Sequence, residues 1–180
     1  MAENDDLALI KRCLGGETQA FAGLIERYQK PVFNVALRML NNFQNAEDVT
    51  QVVFIKAYEK LHTYKTKYKF FSWVYRMAVN ESLNFIKREK RFEGLDVDVL
   101  ASENVTEGSF TDFETMQQVE LALMFLDPSQ RAIVVLKHFH GLSYREISYI
   151  MEIPEKIVKS RLYESRQRLR KVFHKQGYLQ

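Results

Sequence analysis

The sequence predicts an all-α chain: two helical domains joined by a flexible acidic linker. Three observations carry this expectation. Apolar residues recur at helical spacing along most of the chain, while the alternating runs that mark half-buried strands are scarce. The 180 residues include only 7 Gly and 3 Pro, and they are 46% hydrophobic and 13% aromatic, ample for packed cores. Charge falls in three blocks. Residues 1–92 hold 15 Lys/Arg against 10 Asp/Glu, residues 93–115 hold none against 7, and residues 116–180 hold 11 against 6. These blocks delimit a first domain, a linker and a second domain. Two basic blocks on an acidic connector suit two modules that face nucleic acid, with a linker that avoids phosphates or folds over the basic surfaces.

The first helix is expected over residues 5–15, ended by Gly15-Gly16. A second runs from about Glu17 to Gln29, with Phe21, Leu24, Ile25 and Tyr28 on one face. Pro31 lacks an amide and crowds the preceding turn, so a break or kink is expected there before helix resumes from Val32 to Leu40. Asn41-Asn42 marks a turn. A longer helix over about 45–61 buries Val49, Val53, Ala57 and Leu61 and carries Asp48 and Gln51 on another side. From His62 to Lys69 a loop interleaves Tyr64 and Tyr68 with Lys65, Lys67 and Lys69, a mixture able to stack on splayed bases while holding phosphates. A helix over about 70–91 follows, with Phe71, Trp73, Val74, Met77, Ala78 and Phe85; most of its aromatic rings belong in a core. It also presents Arg76, Asn80 and Asn84. The two Asn, four apart, fit base contact and neutral surface equally well.

The linker holds Asp96, Asp98, Glu103, Glu107, Asp112 and Glu114 among Ser, Thr, Asn and Gly, the composition of a segment poorly ordered in the free chain. Asp127-Pro128 reads as an N-cap followed by Pro at the first helical position, opening a helix through Arg131 and Ile133 to about His140. Gly141 then punctuates. Ser143 and Glu146 have capping-box spacing, and Ile147, Ile150 and Met151 form an apolar stripe. Pro154, at a first helical position, opens a last helix to about residue 173. Its Val158, Leu162, Ser165 and Leu169 recur at a spacing that can be buried. Lys156, Lys159, Ser160 and Tyr163 share another side and offer cations, a hydroxyl and an amphipathic ring. That is the layout of a helix-turn-helix recognition helix. The plainer alternative is an amphipathic hairpin with a solvated basic face.

No apolar run approaches the ~20 residues that span a bilayer, and the acidic N-terminus is unlike a secretory signal, so no membrane insertion and a cytoplasmic location are expected. One cysteine, Cys13, cannot form an internal disulfide and is read as a plain core or surface thiol. A catalytic constellation is missing: there is no Gly-rich phosphate loop, Gly-x-Ser-x-Gly elbow or Cys cluster. His138 and His140, about 200° apart on a helix, make poor joint metal ligands. No catalytic residue, metal or cofactor is therefore expected.

Three motifs carry a resemblance. Ala46-Glu47-Asp48-Val49-Thr50-Gln51-Val52-Val53-Phe54-Ile55-Lys56-Ala57-Tyr58 is similar to the Ala-Glu-Asp-x-x-Gln-(acid)-x-Phe-x-(basic)-Ala-(aromatic) pattern of the extracytoplasmic-function (ECF) group of bacterial sigma factors. Phe70-Phe71-Ser72-Trp73-Val74-Tyr75-Arg76-Met77-Ala78-Val79-Asn80 continues the same region. Gly141-Leu142-Ser143-Tyr144, followed by Val158-Lys159-Ser160-Arg161-Leu162, resembles the fourth region. The resemblance covers nearly the whole chain except the linker.

It implies an alternative sigma factor, which joins RNA polymerase core and directs it to promoters without catalytic chemistry of its own. By resemblance, Asp48, Gln51 and Phe54 dock on the clamp coiled coil of the largest subunits. Tyr64, Lys65, Lys67, Lys69, Trp73, Arg76, Asn80 and Asn84 read and melt the minus-10 element. Lys156, Lys159, Ser160 and Tyr163 read the minus-35 element, with Arg161 on phosphate or in packing. The linker threads toward the RNA-exit path, and an anti-sigma factor is the expected restraining partner. Three departures stand out: Val52 replaces the usual acid, Lys156-Ile157 the usual Gly-Thr, and Glu164 a common basic residue. Two other readings compete. A stand-alone helix-turn-helix regulator would need a ligand pocket or dimer seam, and an enzyme acting on nucleic acid would need the missing catalytic groups.

Overall fold

The computed structural model describes residues 2–92 and 112–175. The first domain is built of α1 (Ala2–Leu14), α2 (Ala20–Leu40), α3 (Phe43–Glu59) and α4 (Phe70–Phe92), with a short 3-10 turn at Leu61–Thr63. Helix α2 is the centre, packed against α1, α3 and α4. Leu24, Val32, Val35, Ala36 and Met39 on its buried stripe are sealed from solvent. The carboxylate of Asp6, itself buried, accepts hydrogen bonds from Tyr28 at 2.5 Å and from Arg27, which pins α1 onto α2.

Pro31 does not break the chain as its chemistry led us to expect; it sits inside one helix of 21 residues. A proline in mid-helix costs about 3 kcal/mol. Burying one large apolar side chain returns roughly 1.5–3 kcal/mol, and Val32, Val35 and Met39 all lie beyond the proline on the stripe that faces the core. Continuity wins. The helix then ends at Asn41, which adopts the left-handed conformation at φ 50°, and Asn42 caps α3 by accepting from the Asn45 amide at 2.9 Å.

The second domain comprises α5 (Asp112–Leu123), α6 (Pro128–Val134), a π-helical segment at Val135–Phe139, α7 (Tyr144–Met151) and α8 (Glu155–Lys175). Helix α5 already begins at Asp112, inside the stretch expected to be linker; the rest of that stretch, 93–111, lies outside the described residues. Asp127 caps α6 through the Ser129 and Gln130 amides at 3.0 Å each. Gly141, at φ +65°, makes the turn into α7. Ser143 and Glu146 form the full capping box, with the Ser143 amide donating to the Glu146 carboxylate at 2.8 Å and the Glu146 amide to the Ser143 hydroxyl at 3.2 Å. Pro154 stands one residue before α8 rather than in it, and its carbonyl accepts the Ile157 and Val158 amides.

The two domains share one hydrophobic cluster. Helix α7 lies along α4, and α6 touches both α2 and α4. Polar contacts stitch the same seam. Buried Arg131 of α6 donates to the Met39 carbonyl at the end of α2 and to the Leu123, Met124 and Leu126 carbonyls of its own domain. Arg38 of α2 reaches Glu120 at 3.7 Å and lies 4.3 Å from the centre of the Phe139 ring.

Candidate nucleic-acid interface

Helix α8 has two chemically distinct sides because its buried positions fall on one stripe. Val158, Leu162 and Ser165 are enclosed, and the Ser165 hydroxyl returns to the Arg161 carbonyl at 2.6 Å, so no polar atom is stranded there. Lys156, Lys159, Ser160 and Tyr163 all face solvent, and the Tyr163 ring is 65% exposed. Arg161 is half-buried at the edge of this face. The Ser160 hydroxyl donates to Glu164 at 3.0 Å, so the acid that departs from the family pattern engages a neighbour on the same face. Lys159 and Lys137 approach the Tyr144 ring at 5.4 and 4.8 Å, which ties the turn before α7 to the basic side of α8.

A second basic surface surrounds the start of α4. A cleft of about 610 Å³ there is lined by Lys60, Lys65, Tyr68, Trp73, Arg76 and Asn80, and closed on its far side by Tyr149 and Glu152 of the second domain. Lys65, Lys67, Lys69, Asn80 and Asn84 are exposed, with Lys67 and Lys69 lying 5.6 and 5.7 Å from the rings of Tyr68 and Phe71. Trp73 is buried apart from its edge on the cleft. Tyr64 does not stand free: its ring meets Phe70 and Trp73 edge-on, and its hydroxyl donates to the Tyr68 carbonyl at 2.6 Å. An aromatic one residue past a 3-10 turn is drawn into the apolar end of the bundle. Tyr68, four residues on, is half-buried, and Tyr149 stacks on its ring at 3.7 Å.

The face of α3 corrects one expectation. Asp48 and Gln51 are exposed, but Phe54 is only 7% exposed, because the buried stripe of α3 includes Thr50 and Phe54 beside Val49, Val53 and Ala57. The apolar groups that reach solvent are Phe43, Val52, Ile55 and Tyr58. Val52, Ile55 and Tyr58 recur every three residues opposite the buried stripe, a spacing visible in the sequence itself. Beside them Phe33, Phe43, Glu47, Thr50 and Gln51 line a groove of about 370 Å³.

Burial also tunes groups on the seam between domains. It pushes the Tyr75 hydroxyl up to about 12 and, with help from the nearby Arg38 cation, the His140 imidazole down to about 4. Those two groups are hydrogen-bonded at 3.1 Å, while His140 Nε2 has no protein partner. The Arg131 guanidinium is pulled down to about 10 by burial, against the favourable charge of Asp127. Among the described residues no cluster of His, Cys, Asp and Glu could hold a metal ion, and no helix is long and apolar enough to cross a membrane.

Comparison with known proteins decides the family. The model for Sigma-70 region 2 matches residues 24–92, and that for Sigma-70, region 4 matches residues 116–169. The ECF RNA polymerase sigma factor SigW of Bacillus subtilis is 31% identical over 174 residues, covering 90% of this chain and 93% of its own. The chain belongs to the ECF sigma factors. The ECF RNA polymerase sigma-E factor of Escherichia coli is 32% identical over 90% of this chain and 91% of its own. Two solved structures share the fold: CnrH in complex with the cytosolic domain of CnrY (21% identity, TM-score 0.71, covering 94% of this chain and 97% of that one), and the sigma factor RpoE in complex with the anti-sigma factor NepR from Bartonella quintana (22%, TM-score 0.69, 86% and 96%). As an ECF sigma factor, the protein is an alternative sigma factor that works with RNA polymerase core and promoter DNA to direct promoter-specific transcription initiation. Sigma factors are not known as catalytic enzymes.

Proposed function

We propose that the two basic surfaces divide promoter recognition between them. Residues 116–180 read the minus-35 element through Lys156, Lys159, Ser160 and Tyr163, with Arg161 on the phosphates. Residues 1–92 bind core through the α3 face around Asp48 and Gln51, and they melt and hold the minus-10 element with Lys65, Tyr68, Lys69, Arg76, Asn80 and Asn84. Trp73 forms the apolar floor of that cleft. Residues 93–111 connect the two domains. The chain performs no nucleotide chemistry; it acts in the cytoplasm, and an anti-sigma factor holds it off until a signal arrives.

The observation that carries this reading is the exposed side of α8, where cations, a hydroxyl and a ring face solvent on a helix fixed from behind by Val158, Leu162 and Ser165. That is the geometry a major groove accepts, phosphates giving affinity and base edges giving selection. Exposed Val52 and Ile55 on α3 support a protein-facing role for that surface.

The test is co-elution of the purified chain with bacterial core RNA polymerase, followed by run-off transcription across a promoter library. Stable association and new promoter-dependent transcripts are expected. Lys159→Ala with Tyr163→Ala should lower transcription at least tenfold from promoters that need a minus-35 element and leave core affinity intact. Asp48→Ala with Gln51→Ala should do the reverse. Failure to associate with core, together with tight duplex binding by the free chain, would point to a stand-alone regulator.

A further inference from the structure

The exposed face of α8 holds a carboxylate near its middle. Successive residues of an α-helix turn by about 100°, which sets Val158, Leu162, Ser165 and Leu169 on one side and Lys156, Ser160, Glu164 and Gln167 opposite them. The first set faces the core, and all four of the second are exposed. Lys159, exposed, and Arg161, half-buried, lie on the two flanks. A helix lying in a major groove turns its flanks to the phosphate walls and its middle to the base edges. Flanking cations suit that placement. Glu164 does not suit it for affinity, since a carboxylate beside a polyanion weakens binding to every sequence alike.

Its surroundings give it another use. The Ser160 hydroxyl donates to one Glu164 oxygen at 3.0 Å, an i, i+4 pair that draws the carboxylate toward the N-terminal end of α8. That is the end a recognition helix turns to the bases. Among the described residues Glu164 forms no ion pair, so its second oxygen is left for a ligand. Ser160 has spent its proton, and its oxygen too faces outward as an acceptor. In the major groove, guanine and thymine present acceptors, which such a pair repels. Only cytosine N4 and adenine N6 offer a donor. Adenine N6 stands between two acceptors, its own N7 and the thymine O4, whereas cytosine N4 has an acceptor on one side only. Cytosine is the better match.

We infer that Glu164 is a specificity determinant that selects a cytosine in the minus-35 element, with Ser160 as its positioning residue. The inference rests on reading α8 as the minus-35 helix. Affinity lost to repulsion on every sequence is returned at one base, so the residue trades strength for selection.

The experiment uses holoenzyme reconstituted from the full chain and core polymerase, with run-off transcription from promoters in which each minus-35 position is randomised in turn. Wild type, Glu164→Gln and Ser160→Ala are compared. Wild type is expected to favour cytosine about tenfold at one position. Glutamine carries both a donor and an acceptor, the match for adenine N6 and N7, so Glu164→Gln should move the preference at that position to adenine and leave the other positions alone. Ser160→Ala should keep cytosine but weaken the preference about threefold, the effect of one lost hydrogen bond. Equal urea midpoints for the three chains exclude a damaged fold. A uniform gain across all sequences in Glu164→Gln, shrinking as salt rises, overturns the inference, because only phosphate repulsion was removed. An unmoved preference overturns it as well, and so does a wild-type preference for any other base at the position that moves. Lys159→Ala with Tyr163→Ala is run on the same library. If that variant keeps full minus-35 dependence, the reading of α8 itself fails; if it loses that dependence while Glu164→Gln moves nothing, only the role of Glu164 fails.

Discussion

Arg131 is a guanidinium enclosed by carbonyls from both domains, with the end of α2 on one side and its own Leu123–Leu126 turn on the other. Replacing it by Met keeps the volume and leaves buried acceptors unpaired. We expect Arg131→Met to cost about 3 kcal/mol, read as a lower urea midpoint of the full chain. His140 makes a different demand. Its imidazole is held neutral by burial, with a pKa of about 4 in place of 6.5, and it faces Tyr75 and the Arg38 cation. Between pH 6.5 and 4 the unfolded chain takes up a proton that the folded chain refuses, so this group's contribution to stability declines as pH falls through that window and is constant above it. Unfolding curves at pH 7, 6 and 5 should show a shallower decline for His140→Phe than for wild type. Glu152, at φ 55° and paired with Arg76, shows that a single residue can pull against its own backbone. Left-handed φ costs a side-chain-bearing residue roughly 1–2 kcal/mol, and an exposed ion pair returns at most about 1 kcal/mol, so thermodynamic stability is a poor reason for a glutamate there.

At the level of single elements, the helices follow from period and caps, and their departures from expectation follow from packing. Helix α2 passes through Pro31 because the stripe on both sides of it is buried. The end of α6 widens into a π-helical segment at Val135–Phe139, which sets the frame of Lys137 and His138 before the Gly141 turn. Helix α3 carries the most instructive pair of neighbours. Phe54 is 7% exposed and the adjacent Ile55 is 59% exposed, so adjacent positions on one helix separate stability from association. Phe54→Ala should destabilise the chain by about 3–5 kcal/mol through a core cavity. Ile55→Ala should change stability by no more than about 0.5 kcal/mol, yet weaken co-elution with core polymerase. The reverse pattern would mean that α3 does not present this side to its partner.

For the molecule as a whole, one shared apolar core holds together the two basic surfaces that we propose for promoter DNA. Much of this was legible in the chain. The all-α class, the caps at Asp127 and Ser143, the two faces of α8 and the sigma-family motifs are local patterns, and local patterns are set by helix period and hydrogen-bond chemistry over a few residues. The same locality explains the misses. Tyr64 and Phe54 have the composition of surface contacts, and whether such a ring turns in or out depends on space offered by other helices. Asp112 suits a helix start or a linker until a helix forms beyond it. By itself, then, the sequence determined most of the helices, which side of each is apolar and where positive charge accumulates, but not that α2 runs unbroken through Pro31 or that α5 forms. Only the tertiary structure decided that Glu152 meets Arg76, 76 positions away in the chain, and that Tyr149 lies on Tyr68. Nothing local encodes such pairs, because they arise when apolar faces of two domains fuse into one core and carry their edges into contact.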